Sequence, residues 1–229
     1  RTVHRPRLSS SLHESDGFSR MNTCILACEM LEDELQAALE QTGCTWPVRY
    51  LERGLHEYPA RLRERLQSEI DANTAEQIVL AFCLCGNALD GICAGKKRLI
   101  APRLSDCIHL LSAKTPETTC IYLTAGWLRG ERTMLCEHQR CLLKYGEKKT
   151  RRIYEAMLGN YKAVKLLDTG CFSHAEAEAG VKRTADTLGL AYGEARGTIE
   201  TLCALVSGDW DGRFLVLEPG QCLKQAMYL

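Results

Sequence analysis

Residues 78–111 read IVLAFCLCGNALDGICAGKKRLIAPRLSDCIHLL, and the fold class follows from this stretch. Its first five residues, Ile78-Val79-Leu80-Ala81-Phe82, are apolar without alternation and bounded by polar neighbours. That pattern fits a short strand buried on both faces. The run stops at Cys83-Leu84-Cys85-Gly86-Asn87, where Gly and Asn supply turn chemistry beside two thiols. A second apolar run, Leu99-Ile100-Ala101, stops at Pro102. Arg103, Ser105, Asp106 and Cys107 follow, and Ile108-His109-Leu110-Leu111 reads as helix. Two buried strands thus end in polar, reactive side chains. In open parallel sheets ligands sit just outside the carboxyl ends of the strands, so chemistry is expected on this rim.

Towards the N-terminus, residues 23–28 (TCILAC) form a first strand. Residues 29–39 follow as a helix with Leu31, Leu35 and Leu39 on one face, ended by Gly43. Residues 48–51 give a second strand, and Gly54-Leu55-His56-Glu57-Tyr58-Pro59 is a loop whose proline opens a helix over 60–70. Strand–helix–strand–helix–strand is the doubly wound pattern. Gly91 and Gly95 punctuate a short helical crossover before Leu99.

Towards the C-terminus, residues 118–123 form a β-branched strand, and Gly126, Trp127 and Gly130 mark a loop. Helices are expected over 132–143 and 149–158. A strand at 164–167 ends in Asp168-Thr169-Gly170-Cys171. Residues 173–188 form a helix with Ser173 as its cap and Glu176 at the capping-box position. A short strand at 190–192, a helix at 199–206, a turn at 208–212 and a last strand at 214–217 complete the chain. The expected fold is α/β, a mostly parallel, doubly wound, Rossmann-like sheet. Residues 21–229 form one domain, in which 21–115 and 116–229 are candidate lobes with a cleft between them. Residues 1–20, polar and aperiodic, read as a disordered leader, a cloning remnant or upstream translation, with Met21 as the natural start. His4 and His13 in this tail carry no assigned role.

The 229 residues supply ample material for a core. Twenty-nine basic side chains balance 29 acidic ones, which argues against a nucleic-acid partner. No apolar run approaches a membrane span. Thirteen cysteines are many for this length. Their odd number, the lack of an apolar signal segment and their placement within apolar runs favour reduced thiols in a cytoplasm over a disulfide scaffold.

Four groups are candidates for chemistry. Cys28, Cys83, Cys85 and Cys107 each lie at or just beyond a strand end, and a parallel sheet brings such positions to one rim. Soft thiolates favour zinc, cuprous copper or an iron–sulfur cluster, and His56, in the loop after the second strand, faces the same side. The structural reading is that these are buried small hydrophobes. It is preferred for Cys24, Cys44, Cys93, Cys120, Cys203 and Cys222. Arg103 and Asp106 form the second group: a guanidinium fork for a small anionic ligand, or merely an ion pair and a helix cap. The third is Cys136-x-His138-x-x-Cys141, whose residues splay on a helix and read as surface. His109 reads as a core histidine, and His174 as solvent-facing. The fourth is an aromatic set, Tyr122, Trp127, Tyr161 and Trp210, in which Trp127 follows a strand and could wall a cleft. Asn87, in the turn, joins Arg103, Asp106 and Trp127 as a ligand-binding candidate. No Walker loop, GxGxxG, GxSxG or HExxH is present.

LCGNALDG at 84–91 followed by LIAPRLSDCIHLL at 99–111 resembles DUF1638, a domain of unknown function of bacterial and archaeal proteins. That family carries a Leu-Cys-Gly-Asn turn and a Pro-Arg-x-x-Asp-Cys segment in this order. ILACEML at 25–31, GLHEYPARL at 54–62, IYLTAGWLRG at 121–130, KYGEKKTRRIYEAM at 144–157, LLDTG at 166–170 and SGDWDGRFLVLEPG at 207–220 are similar as well. The resemblance spans roughly residues 23–220 and implies family membership without an established activity. Cys28, Cys85 and Cys107 coincide with these segments as well as with strand ends, which puts function ahead of packing for these three. The resemblance also points towards corrinoid-dependent methyl transfer, with the corrinoid held by a partner methyltransferase system.

Three functions remain in view. The first is a metal-binding protein with Cys28, Cys85 and Cys107 as ligands and His56 as a fourth, serving methyl transfer or carrying a cluster. The second is a small-molecule enzyme or binder using Arg103 for an anionic group and Cys85 as nucleophile. The third is a non-catalytic accessory protein of a methyltransferase system. If the first holds, strands one, three and four lie side by side and the three thiols converge.

Overall fold

The computed structural model describes residues 21–228; the leader expected over residues 1–20 lies outside the described residues. The fold is α/β, with seven α-helices and two mostly parallel sheets among the described residues. In the larger sheet β1 (Thr23–Cys28), β2 (Val48–Leu51), β3 (Gln77–Ala81) and β4 (Arg98–Pro102) run parallel. Its order is β2-β1-β3-β4, closed by β8 (Phe214–Leu217) antiparallel to β4. β3 is buried at all five positions: its apolar residues 78–81 suit burial on both faces, and the buried Gln77 side chain donates to Thr23 Oγ1 at 3.1 Å. The smaller sheet is β5 (Cys120–Leu123), β6 (Ala163–Asp168) and β7 (Ala191–Arg196), all parallel.

The expected strands one, three and four are neighbours, and the chain reverses direction between β1 and β3. The first crossover leaves β1 for β2 on one side, and the next returns past β1 to place β3 on the other. That reversal is the topological switch point of an open α/β sheet, where the loops at the carboxyl ends part.

The helices come close to their expected ranges. Glu29–Leu31 is a 3-10 turn, and α1 (Glu32–Thr42) ends at Gly43 in the left-handed conformation. α2 (Pro59–Ala72) opens with its proline in the first turn. α3 (Cys107–Leu111) is short, while α4 (Met134–Tyr145) and α5 (Glu147–Leu158) form a hairpin. α6 (His174–Leu188) packs Ala177, Val181 and Ala185 against Val164 and Leu166 of β6. α7 (Glu200–Ser207) packs on α1, β3 and β4. The last stretch of chain therefore returns to the larger sheet, so the lobes interleave in sequence.

Several expectations are corrected. No helix forms between Gly86 and β4; Gly86, Gly91 and Gly95 all have positive φ, and the segment is a series of turns. Ser173 precedes α6 but its side chain makes no capping hydrogen bond. β7 is six residues long, because pairing along β6 extends the strand beyond its apolar start. Cys93 and Cys222 are joined in a disulfide, and the other eleven cysteines are free.

The two sheets meet at a polar joint. Glu34 of α1 is fully buried and accepts a hydrogen bond from Thr169 Oγ1, just past β6, at 3.0 Å. Burial pushes its carboxyl up to about 7, against the opposing pull of its hydrogen bonds. Beside it Arg129 is paired with Asp33 at 2.8 Å. Gly126 lies so close to the Met30 carbonyl that a Cβ there would collide with it.

Candidate functional site: a thiol-lined pocket at the switch point

A cavity of about 200 Å3 opens where β1 and β3 part. Cys28, the last residue of β1, lines it together with Cys85 beyond β3 and Cys107 at the start of α3. His56 and Glu52, from the loop after β2, contribute nitrogen and oxygen, and Asp106 adds a carboxylate. Leu55, Leu62, Phe82, Met30 and Ile108 supply apolar wall. Trp127 completes the wall and meets the His56 ring edge-on, with centroids 4.9 Å apart.

Backbone pairing explains the convergence. Beyond the ends of β3 and β4 the two chains stay in register: the Leu84 N–H donates to the Leu104 carbonyl at 3.0 Å, and the Cys85 N–H to Ser105 at 2.9 Å. This holds Cys83 and Cys85 beside Cys107. The turn that follows is tightly wound. Cys85, Gly86 and Asn87 have φ of 47°, 63° and 68°, and a cysteine in the left-handed region costs on the order of 1 kcal/mol. Arg63 of α2 pins the turn by donating to the carbonyls of Asn87 at 2.7 Å and Ala88 at 3.3 Å. Strain at a pocket residue, held by an outside clamp, is characteristic of functional sites.

All four thiols favour their protonated form. Burial pushes Cys28 up to about 12. Thiol hydrogen bonding with Cys107, followed by burial, raises Cys85 well above the ordinary thiol value. Hydrogen bonding with Cys83, burial and the neighbouring sulfurs do the same to Cys107. For Cys83 the bond from Cys107 pulls down, but burial and the adjacent thiols outweigh it. His56 is lowered by burial, which leaves a neutral imidazole with a lone pair at neutral pH. The thiols and the imidazole are thus soft, uncharged donors in largely apolar surroundings, with the Asp106 and Glu52 carboxyls on the same wall. Among the described residues no three His, Cys, Asp or Glu side chains are set around a point as a metal ion would require.

The expected site residues divide into two groups. Cys28, Cys85, Cys107, His56, Asp106 and Trp127 all line the one cavity. Asp106 also caps α3, accepting from the His109 N–H at 2.9 Å and meeting its imidazole at 2.8 Å. Burial raises that carboxyl, but the bonds from His109 and Ser105 prevail and hold it below its usual value. With α3 only five residues long, this is a cap and not an anion site. His109 is exposed, which corrects its reading as a core histidine. Arg103 is exposed and does not line the cavity; its backbone N–H donates to the Arg213 carbonyl at 2.7 Å. Asn87 is also off the wall and acts through its backbone in the turn. Cys136, His138 and Cys141 lie on α4, which buries none of its residues.

Sequence reasoning missed Glu52, Arg63 and Tyr228. Tyr228 packs on the core, its hydroxyl buried without a hydrogen-bond partner among the described residues. It lies close enough to Cys83 and Cys85 for those sulfurs, after burial, to help raise its phenol. No local pattern announces it, because the contact depends on the return of the chain end.

A family model described as "Protein of unknown function (DUF1638)" matches residues 50–206. The matched span includes His56, Cys83, Cys85, Asp106, Cys107 and Trp127, with Cys28 and Tyr228 outside it. No curated protein and no solved structure matches the chain. Among the described residues no helix is long and apolar enough to cross a membrane.

Proposed function

The chain belongs to the DUF1638 family, and we propose that it is a thiolate metal-binding protein whose switch-point pocket takes a soft ion, zinc or the iron of an iron–sulfur cluster. Cys28, Cys85 and Cys107 are the ligands, His56 is the nitrogen donor within reach, and Cys83 is the neighbouring thiol. The observation that carries this reading is the convergence of Cys28, Cys85 and Cys107 on one cavity. Neutral thiols hydrogen-bonded to one another are poor nucleophiles, but a dication replaces their protons and supplies the charge that apolar walls deny them. Loading then requires the thiols to leave their mutual contacts and turn inward. Cys28, Cys85 and Cys107 would hold a zinc ion, and zinc there would supply Lewis acidity towards a thiol or water, chemistry suited to methyl transfer. The role we propose is beside a corrinoid-dependent methyltransferase in the cytoplasm, catalytic or accessory; the thiol donor set supports it. No role with nucleic acid or membrane is proposed.

Cobalt(II) titration of the reduced protein tests the reading. It predicts one ion per chain with sulfur-to-metal charge-transfer absorption, lost in Cys85→Ser and Cys107→Ser and kept in Cys44→Ser. Absence of that absorption would refute it.

One observation favours a second reading, a metal-free pocket for a small, mostly apolar ligand: the side chains do not surround a common point. Under it Trp127 forms the stacking wall and its buried indole N–H, which has no hydrogen-bond partner among the described residues, donates to the ligand. A Cys85 nucleophile with Arg103 as anion binder has less support, since the thiol is protonated and Arg103 is off the wall.

A further inference from the structure

The thiol cluster lies between two coverings. On the cavity side stand His56 and Trp127. On another side lies the chain end, where Gln225–Tyr228 forms a 3-10 turn and Tyr228 packs against the core cluster that contains Cys83 and that Cys85 also joins. Lys224, Gln225, Ala226 and Met227 are exposed, so between its anchors this tail is held by little burial of its own.

The first anchor is a two-stranded patch made by residues 91–94 and 221–223. The Gly91 N–H donates to the Leu223 carbonyl at 2.9 Å, Leu223 returns a bond to Ile92 at 2.7 Å, and Ala94 donates to Gln221 at 2.9 Å. The Gln225 N–H adds a bond to Asp90 Oδ1 at 2.8 Å. In the middle of this patch Cys93 and Cys222 face each other and are joined covalently. The second anchor is Leu223, fully buried in the core. Both sides of the disulfide lead to the cluster. Eight residues before Cys93 stands Cys85, and six residues after Cys222 stands Tyr228.

The bond links positions 129 residues apart, in a chain whose other eleven cysteines are free. Its two cysteines are only partly buried, within reach of a reductant. In a reducing compartment a disulfide of this kind is transient and acts as a sensor.

We infer that Cys93–Cys222 is a redox clasp that fixes the Tyr228 tail over the thiol cluster, and that its reduction admits reagents and ions to Cys83 and Cys85 from the tail side. The reductant is a dithiol protein or a low-molecular-weight thiol. A thiolate of the reductant attacks one sulfur of the bond and displaces the other as a thiolate, which takes up a proton. A second reductant thiol then resolves the mixed disulfide. Two electrons and two protons pass to Cys93 and Cys222, and the reductant leaves as its own disulfide. What remains at the anchor is the backbone ladder between residues 91–95 and 220–223, the Gln225–Asp90 bond and buried Leu223, so the tail opens locally more often than in the clasped form.

The regulatory part, control of metal loading, rests on the metal-binding reading; the gating part does not. The experiment therefore measures gating without metal. Full-length protein with its disulfide intact, and the Cys93→Ser/Cys222→Ser variant, are labelled with N-ethylmaleimide in the presence of a chelator, and each cysteine is followed by mass spectrometry. Cys83 and Cys85 should label at least tenfold faster in the variant. Cys44, in the loop entering β2 at the opposite end of the sheet, should label at an unchanged rate. Equal rates at Cys83 and Cys85 in both proteins would overturn the clasp. Should the double variant not fold, Tyr228→Ala in the disulfide-bonded protein gives the second arm: removing the cover must speed labelling of the same two thiols, and no change overturns the inference equally. Zinc release to a chromophoric chelator is then compared. Faster labelling with no zinc bound in either form keeps the gate and removes the metal reading.

Discussion

Replacing Glu34 by Gln tests the joint between the sheets. Glu34 is sealed in, with one oxygen accepting from Thr169 and the other without a hydrogen-bond partner among the described residues. Burial raises its carboxyl from the ordinary 4.5 to about 7. Below pH 4.5 the folded and unfolded chains both hold the proton. Between there and pH 7 the folded chain keeps a proton that the unfolded chain releases, so stability is lost as pH rises through this window. A shift of that size corresponds to about 3 kcal/mol. The amide introduced by Glu34→Gln mimics the protonated acid at every pH and can still accept from Thr169. The stability difference between variant and parent should thus change with pH while any packing penalty stays constant. Thermal unfolding at pH 5 and pH 8 reads this directly. The gap in Tm between variant and parent should move in the variant's favour by roughly 6–12 °C between the two pH values, at about 2–4 °C per kcal/mol for a chain of this size. A gap independent of pH would refute the claim that Glu34 is buried with its proton.

Two other predictions concern the pocket walls. Gly126→Ala adds a Cβ against the Met30 carbonyl, so the segment carrying Trp127 must move off the cavity. We expect a loss of about 1–3 kcal/mol and a red-shifted tryptophan emission, and an unchanged spectrum with unchanged Tm would contradict the close approach. Asp106→Ala removes the cap of α3 and should cost about 1 kcal/mol at pH 7. Because the Asp106 carboxyl is held below its ordinary value, that cost is present above pH 3.8 and fades as pH falls further. A variant equally destabilised at pH 7 and pH 2.5 would exclude the cap as the cause.

Much of the larger sheet was legible because its signals are local. An unbroken apolar run such as Ile78–Ala81 has few alternatives to a buried strand, and parallel strands carry their terminal residues to one rim. That is why Cys28, Cys85, Cys107 and His56 could be grouped from sequence alone. Arg103 and Asn87 sit in the same segments, but whether a side chain beyond a strand faces the pocket or solvent depends on one turn's dihedral angles, which residue type does not fix. The disulfide was illegible for a different reason. Cys93 and Cys222 meet only because β8 folds back antiparallel on β4 and carries the chain end past residues 91–94, a long-range event without local pattern. β7 was read too short because AYGEAR lacks alternation; its pairing is dictated by β6.

The most direct test of the thiolate metal site is its proton balance. Cys28, Cys85 and Cys107 all titrate well above neutral pH, so each must surrender a proton to bind zinc at pH 7.5. Isothermal titration calorimetry of the reduced protein with zinc, in buffers of differing ionisation enthalpy, counts those protons. The account predicts one ion per chain and about three protons released, falling to about two, with weakened binding, when Cys107 is replaced by Ser. Zinc bound with no proton release, or with a count indifferent to Cys107, would contradict it.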